Sequence, residues 1–184
     1  LSIGNLYIES SGGELRKIER KKKGSDIYVM GGGIINLPVR TKYEMYLKTP
    51  EFSVGNYYKY YYLLVKHLLP KSTILGRATR TKPKILRYKD ILSILNTSNK
   101  TCNSFLKECF ERQYLLDLNQ GGYSVNPLYF RNGVKIGYTD FMIWVNVSKE
   151  YRDSLGDDLK YVMNILDEYG VADYSIIERF MKDK

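Results

Sequence analysis

Four side chains between residues 100 and 107 define the chemistry this chain can offer. Lys100, Asn103, Ser104 and Lys107 recur at i, i+3, i+4 and i+7, so a helix would carry them on one face, with Thr101 beside them. Ammonium, amide and hydroxyl groups in such a row can donate to and accept from base-pair edges in a major groove, and the lysines can equally meet phosphate. Any solvated helix has a polar face, so the pattern gains meaning only from the elements around it.

The opposite face of the same segment holds Cys102, Phe105, Leu106 and Cys109, again at i, i+3, i+4 and i+7. That spacing predicts a packed helix from Asn99 to Arg112, with Thr97 and Ser98 as N-caps. Before it, Tyr88, Ile91, Leu92 and Leu95 form the apolar stripe of a short helix over Tyr88–Leu95. Asn96 then suits the left-handed residue that ends such a helix. After it, Tyr114 to Leu118 reads as a strand, Asn119-Gln120-Gly121-Gly122 as a turn and Tyr123 to Asn126 as the returning strand. Pro127 stops regular pairing. Helix, turn, helix and hairpin in this order predict a winged helix-turn-helix, with Gln120 and Tyr123 of the wing touching the backbone or minor groove of a duplex.

Asn56 to Leu69 predicts the first helix of that core: Tyr57, Tyr60, Tyr61, Leu64, Val65 and Leu68 give it a broad apolar face, and Pro70 ends it. The cluster Tyr57, Tyr58, Tyr60, Tyr61 and Tyr62 reads as core packing with a dimer contact in preference to stacking on bases. Between this helix and the next, Lys71 to Arg87 holds six basic residues and no acid, with Gly76 and Pro83 opposing regular helix. Arg77, Arg80, Lys82, Lys84 and Arg87 are therefore expected to hold phosphates flanking the groove.

The charge of the whole chain agrees. Its 184 residues carry a net charge of +9, and the surplus is uneven: 18 basic against 7 acidic residues in 1–92, but 11 against 13 in 93–184. A polyanionic partner is the natural inference. With 43% apolar residues the chain can bury a core. The expected class is α+β in three parts: an N-terminal arm and β-hairpin in residues 1–50, the winged-helix core in 51–147, and a helical appendage in 148–184. In the first part, Leu6-Tyr7-Ile8 reads as a short strand, the basic run Arg16 to Lys23 as a flexible arm, and Asp26–Met30 and Ile34–Val39 as strands around a glycine triplet. Tyr138 to Val147, rich in aromatic and branched residues, reads as a strand. Residues 149–184 are net acidic and amphipathic, with stripes at Leu159, Val162, Met163 and Leu166 and at Ile176, Ile177 and Phe180. Such a tail either dimerises or folds back on the core.

Other chemistries find little material. His67 is the single histidine and reads as structural. With one histidine and two cysteines on a packing face, the usual zinc spacings, a Ser-His-Asp arrangement and a two-histidine metal motif beside a catalytic tyrosine are all out of reach. No Walker-type phosphate loop is present; the glycine triplet at 31–33 has no Lys-Ser or Lys-Thr after it. Cys102 and Cys109 lie two helical turns apart, about 10 Å, too far for a disulfide, and suit a reducing compartment. No apolar run approaches the ~18 residues that would span a membrane, and no signal peptide is visible. The expectation is a binder that is not an enzyme, with no cofactor, metal or membrane partner.

Residues 86–112 resemble the helix-turn-helix of many winged-helix regulators. The segment Leu86-Arg87-Tyr88-Lys89-Asp90-Ile91-Leu92-Ser93-Ile94-Leu95-Asn96 leads into Ser98-Asn99-Lys100-Thr101-Cys102, with Asn96 and Gln113 where that pattern usually has glycine. A closer resemblance is to the RepL-type replication initiators of plasmids and phages of low-GC Gram-positive bacteria. In that family the wing runs into Asn-Pro, a large apolar or aromatic pair and a basic-Gly step. Here the stretch is Val125-Asn126-Pro127-Leu128-Tyr129-Phe130-Arg131-Asn132-Gly133. The resemblance covers Tyr57 to Val145 and lies in the order of features more than in identical residues. It implies sequence-specific binding of double-stranded DNA at an origin or operator in the bacterial cytoplasm, and recruitment of host replication or transcription proteins. The rival expectations are a transcriptional regulator of a mobile element, a winged-helix module that docks a host protein, and an RNA binder.

Overall fold

The computed structural model describes residues 48–80, 82–119, 122–133, 136–157, 159–160 and 163–164, together with the backbone of Lys135 and of four short strands before residue 48. The chain divides into two compact units, one of residues 43–133 and one of residues 1–42 with 134–184. The architecture is mixed α+β, with five helices and small antiparallel sheets among the described residues.

The first described strands are β1 (Leu6–Glu9) paired with β2 (Leu15–Ile18), and β3 (Tyr28–Met30) paired with β4 (Ile34–Asn36). In the unit of residues 43–133, α1 (Gly55–Val65) buries Tyr57, Tyr61, Leu64 and Val65 on one face. A ribbon follows, β5 (Gly76–Arg77) paired with β6 (Lys84–Ile85). Next come α2 (Tyr88–Leu95) and α3 (Asn99–Glu111), then a hairpin of β7 (Leu115–Asp117) and β8 (Tyr123–Val125). The segment before β5 also pairs with β8. Leu75 N–H donates to the Tyr123 carbonyl at 2.9 Å, and Val125 N–H to the Thr73 carbonyl at 2.7 Å. On its other side Leu86 N–H donates to the Leu75 carbonyl at 3.0 Å, so residues 73–77 lie between the hairpin and β6.

Local chemistry explains where the helices begin and end. Asp90 Oδ2 accepts the Arg87 N–H at 3.0 Å and starts α2. Asn96 ends it in the left-handed region, φ 46°, its N–H reaching the Leu92 carbonyl. Two residues later Ser98 Oγ accepts the Thr101 N–H at 3.2 Å and opens α3. Gln113, just past α3, is also left-handed at φ 55°. Both positions flagged as departures from glycine therefore adopt the conformation that glycine would take without cost.

The core of this unit joins α1, α2, α3 and the strands through fully buried Tyr61, Leu64, Leu75, Leu86, Ile91, Phe105 and Leu115, with Cys102 and Cys109 among them. Burial pushes the Cys109 thiol well above its ordinary range, consistent with an inert packing role. Phe52 is an aromatic hub, its ring 5.1–6.2 Å from those of Tyr57, Tyr58, Tyr61, Phe105 and Tyr114. Buried Asn126 closes the hairpin. Its side-chain amide donates to the Gln113 carbonyl at 2.9 Å, and its Oδ1 accepts the Leu128 N–H at 2.9 Å.

In the other unit, β3, β4 and β9 (Lys135–Gly137) form a three-stranded antiparallel sheet in that order. The basic run expected as a flexible arm enters β2 as far as Ile18; its remainder lies outside the described residues. Tyr138–Val147, expected as a strand, is helix α4, and α5 (Lys149–Leu155) follows it. Phe141, Met142, Ile143, Trp144 and Val145 are all buried in succession. A helix buried on every side shows no 3.6-residue periodicity, so an unbroken apolar run fits it as well as a strand. Asp140 in its first turn, favourable to the helix dipole, was the local cue. Residues 135–147, expected with the winged-helix core, thus belong to the unit that holds residues 1–42. Of the expected C-terminal stripes, Leu159 and Met163 are described, while Val162, Leu166, Ile176, Ile177 and Phe180 lie outside the described residues.

Candidate nucleic-acid interface

Burial of Cys102, Phe105, Leu106 and Cys109 fixes the rotation of α3, so Lys100, Asn103, Ser104 and Lys107 all point outward and are exposed. Thr101 is half-buried, its hydroxyl 3.0 Å from Ser98 Oγ in the cap. Lys107 Nζ lies 3.7 Å from Glu111 one turn on, an exposed pair of little energetic weight that a stronger anion would displace.

Three hydrogen bonds tie the start of α3 to its neighbours. Tyr88 Oη, in the first turn of α2, donates to Asn99 Oδ1 at 3.2 Å. Next to it, Arg87 Nη1 donates to the Asn119 carbonyl in the hairpin turn at 2.9 Å. Lys84 of β6 reaches Asp90 Oδ1 at 3.2 Å. The first turn of α3, the start of α2, the end of β6 and the hairpin turn therefore form one continuous edge. Gly122 completes the fit. It has φ +84°, and a Cβ there would lie 2.2 Å from Ile85 Cγ2, so no other residue fits without moving the hairpin away from β6.

Charge concentrates in this unit. Residues 43–133 contain 14 basic and 6 acidic residues, against 15 and 14 in the remainder of the chain. The acids are used locally. Asp90 takes the Arg87 N–H and Lys84, which hold its carboxyl below the ordinary range. Glu108 accepts from the Ser53 N–H and hydroxyl at 2.7 and 2.6 Å and pairs with Arg112 at 3.1 Å. Asp117 accepts the Asn119 N–H at 2.8 Å. Among the described residues, no carboxylate pairs with Arg77, Arg80, Lys82 or Lys100.

The five residues expected at phosphates thus fall into two groups. Arg77, Arg80 and Lys82 are exposed on the β5–β6 ribbon and its loop. There Thr79 Oγ1 hydrogen-bonds both backbone groups of Lys82, which gives the loop a fixed shape. Lys84 and Arg87 are exposed too, but each already has a partner within the chain, so their first role is to position α2 and the hairpin. Of the two expected wing residues, Gln120 lies outside the described residues. Tyr123 is a correction: it is only 8% exposed, its ring stacked 6.2 Å from that of Phe110, and burial pushes its phenol up to about 12. It sits at a strand position whose side chain faces α3, so it cannot reach a ligand. The residues that sequence reasoning missed are Tyr88 and Asn119. Their hydrogen bonds run between segments 11 and 32 positions apart, which no local pattern reveals.

His67 is half-buried at the end of α1, and burial followed by the nearby Arg77 charge lowers its pKa. Among the described residues no three His, Cys, Asp or Glu side chains converge as a metal site, and no helix is long and apolar enough to cross a membrane. Comparison with protein-family models, curated proteins and solved structures gave no match.

Proposed function

We propose that residues 43–133 are a winged helix that binds double-stranded DNA, with α3 in the major groove. The observation that carries this reading is the continuous edge formed by the first turn of α3, the start of α2 and the hairpin turn. Along it lie outward amide, hydroxyl and ammonium groups, with unpaired guanidinium and ammonium groups on the adjoining ribbon. The element order and the pairing of residues 73–75 with β8 support the same reading, because they set a helix pair against a sheet whose last two strands form a wing.

In this reading Lys100, Asn103, Ser104 and Lys107 face base edges, with Thr101 buttressing the first turn. Arg77, Arg80 and Lys82 hold phosphates, and Lys84 and Arg87 orient the frame. Phosphate contacts supply affinity and its salt dependence, whereas base contacts choose the site. The resemblance to RepL-type initiators extends the proposal to replication of a plasmid or phage; a regulator of a mobile element would use the same edge at a promoter.

Selection from random duplexes with the full chain, at near-physiological salt, tests the reading. A defined site is expected. Asn103→Ala with Lys107→Ala should reduce discrimination between that site and others by about 1–3 kcal/mol. Arg80→Ala with Lys82→Ala should weaken all duplexes alike and lower the salt slope by about 2. If both pairs behave the same, the division between base and phosphate contacts is wrong. If no duplex is retained at all, the proposal fails.

A further inference from the structure

The tyrosine cluster of α1 divides in the structure. Tyr57 and Tyr61 are buried and Tyr60 half-buried, but Tyr58 and Tyr62 remain 42% and 47% exposed. With Lys59 and Lys66, both exposed, they fall within about 100° of the helix surface, directly opposite the buried stripe. Lys66 Nζ lies 4.1 Å from the centre of the Tyr62 ring. Tyr58 is braced edge-on by Phe52 at 5.2 Å, so its ring is held in place. Residues 55–67 include no acid. Two large rings one helical turn apart, left in water between cations, form a surface whose chemistry is specific. The rings offer π-faces, and the lysines attract negative charge.

We infer that this face of α1 binds single-stranded nucleic acid, with bases stacked on Tyr58 and Tyr62 and the backbone tracked by Lys59 and Lys66. Stacking on aromatic rings tolerates every base, and lysines alongside hold the phosphates; unpaired strands are bound in this way. A duplex cannot use the rings, because its bases are already stacked on one another. An acidic protein would satisfy the lysines but leave the rings exposed. The site uses α1 alone and does not depend on the duplex-binding reading of α3.

Fluorescence anisotropy of the full chain with labelled oligothymidylate and oligodeoxyadenylate of about 12 nucleotides tests this. Both should bind. Tyr58→Ala with Tyr62→Ala should lower affinity for both at least about tenfold, while Tyr58→Phe with Tyr62→Phe keeps it, since the ring and not the hydroxyl makes the contact. Asn103→Ala with Lys107→Ala should leave single-strand affinity unchanged, which separates failure here from failure of the α3 proposal. A thermal melt of each variant confirms that it folds. The inference is overturned if the alanine pair binds as tightly as wild type, or if the phenylalanine pair is as weak as the alanine pair. It is also overturned if wild type is a dimer with no strand affinity and the alanine pair is a monomer, because the face then serves a second copy.

Discussion

The outward faces of α1 and α3 carry the same sign of charge and different chemistry. On α3, Lys100, Asn103, Ser104 and Lys107 present groups that hydrogen-bond in particular directions. On α1, Tyr58 and Tyr62 present rings, with Lys59 and Lys66 beside them. Cationic side chains alone would attract any polyanion to either helix. What differs is the companion of the charge, and that companion decides which form of nucleic acid can satisfy the face: base edges in a groove for α3, exposed base planes for α1. The surroundings differ as well. The start of α3 is fastened to α2 through Tyr88, and α2 to the hairpin turn through Arg87, whereas the face of α1 stands by itself.

The two faces share a core, and the largest expected effect removes both. Phe105 lies on α3 with its ring 5.3 and 5.6 Å from those of Tyr57 and Tyr60 on α1. Phe105→Ala should cost about 3–5 kcal/mol in chemical denaturation, and both binding activities should fall together. A variant that keeps full stability would mean that α1 and α3 do not depend on this contact.

A second substitution separates the faces. Gly122→Ala forces a Cβ against Ile85 at a left-handed position, with an expected stability loss of about 1–3 kcal/mol. The hairpin turn should move off β6, and duplex affinity should drop by more than the stability loss explains, while oligothymidylate binding by the folded fraction stays unchanged. Equal losses for duplex and single strand would show that the faces are not separate.

Asp90 gives the smallest effect and a pH signature. Its carboxylate caps α2 through the Arg87 N–H and pairs with Lys84, so its folded pKa lies below the ordinary 3.8. A depressed carboxylate stabilises the fold above its unfolded value, and that contribution disappears as pH falls through the folded value. Asp90→Asn should therefore cost about 1 kcal/mol at neutral pH, as loss of a cap does. The difference from wild type should shrink below pH 3.8. A difference independent of pH would exclude the charge as its source.

The two helices α2 and α3 were legible in the sequence almost to the residue, because each has one buried and one exposed face. The spacing of Tyr88, Ile91, Leu92 and Leu95, then of Cys102, Phe105, Leu106 and Cys109, is the direct imprint of that half-burial. Helix α4 was not legible, since burial on all sides erases the period that pattern reading depends on. Tyr123 shows a second limit. The hairpin was correctly placed from its turn residues, but which face of β8 meets α3 depends on register, and a shift of one residue reverses every side chain. The outward residues of α3 could be named in advance because the inward ones were clear. The edge to which they belong could not, because Arg87 and Asn119 are joined only by folding.

Amide hydrogen exchange of the full chain, with and without a duplex chosen by selection, tests the central claim most directly. Binding should slow exchange across residues 98–104, at Asn119 and along 77–87, and leave α4 and α5 unchanged. Slowing confined to α4, α5 or α1, with the start of α3 exchanging as in the free protein, would contradict it.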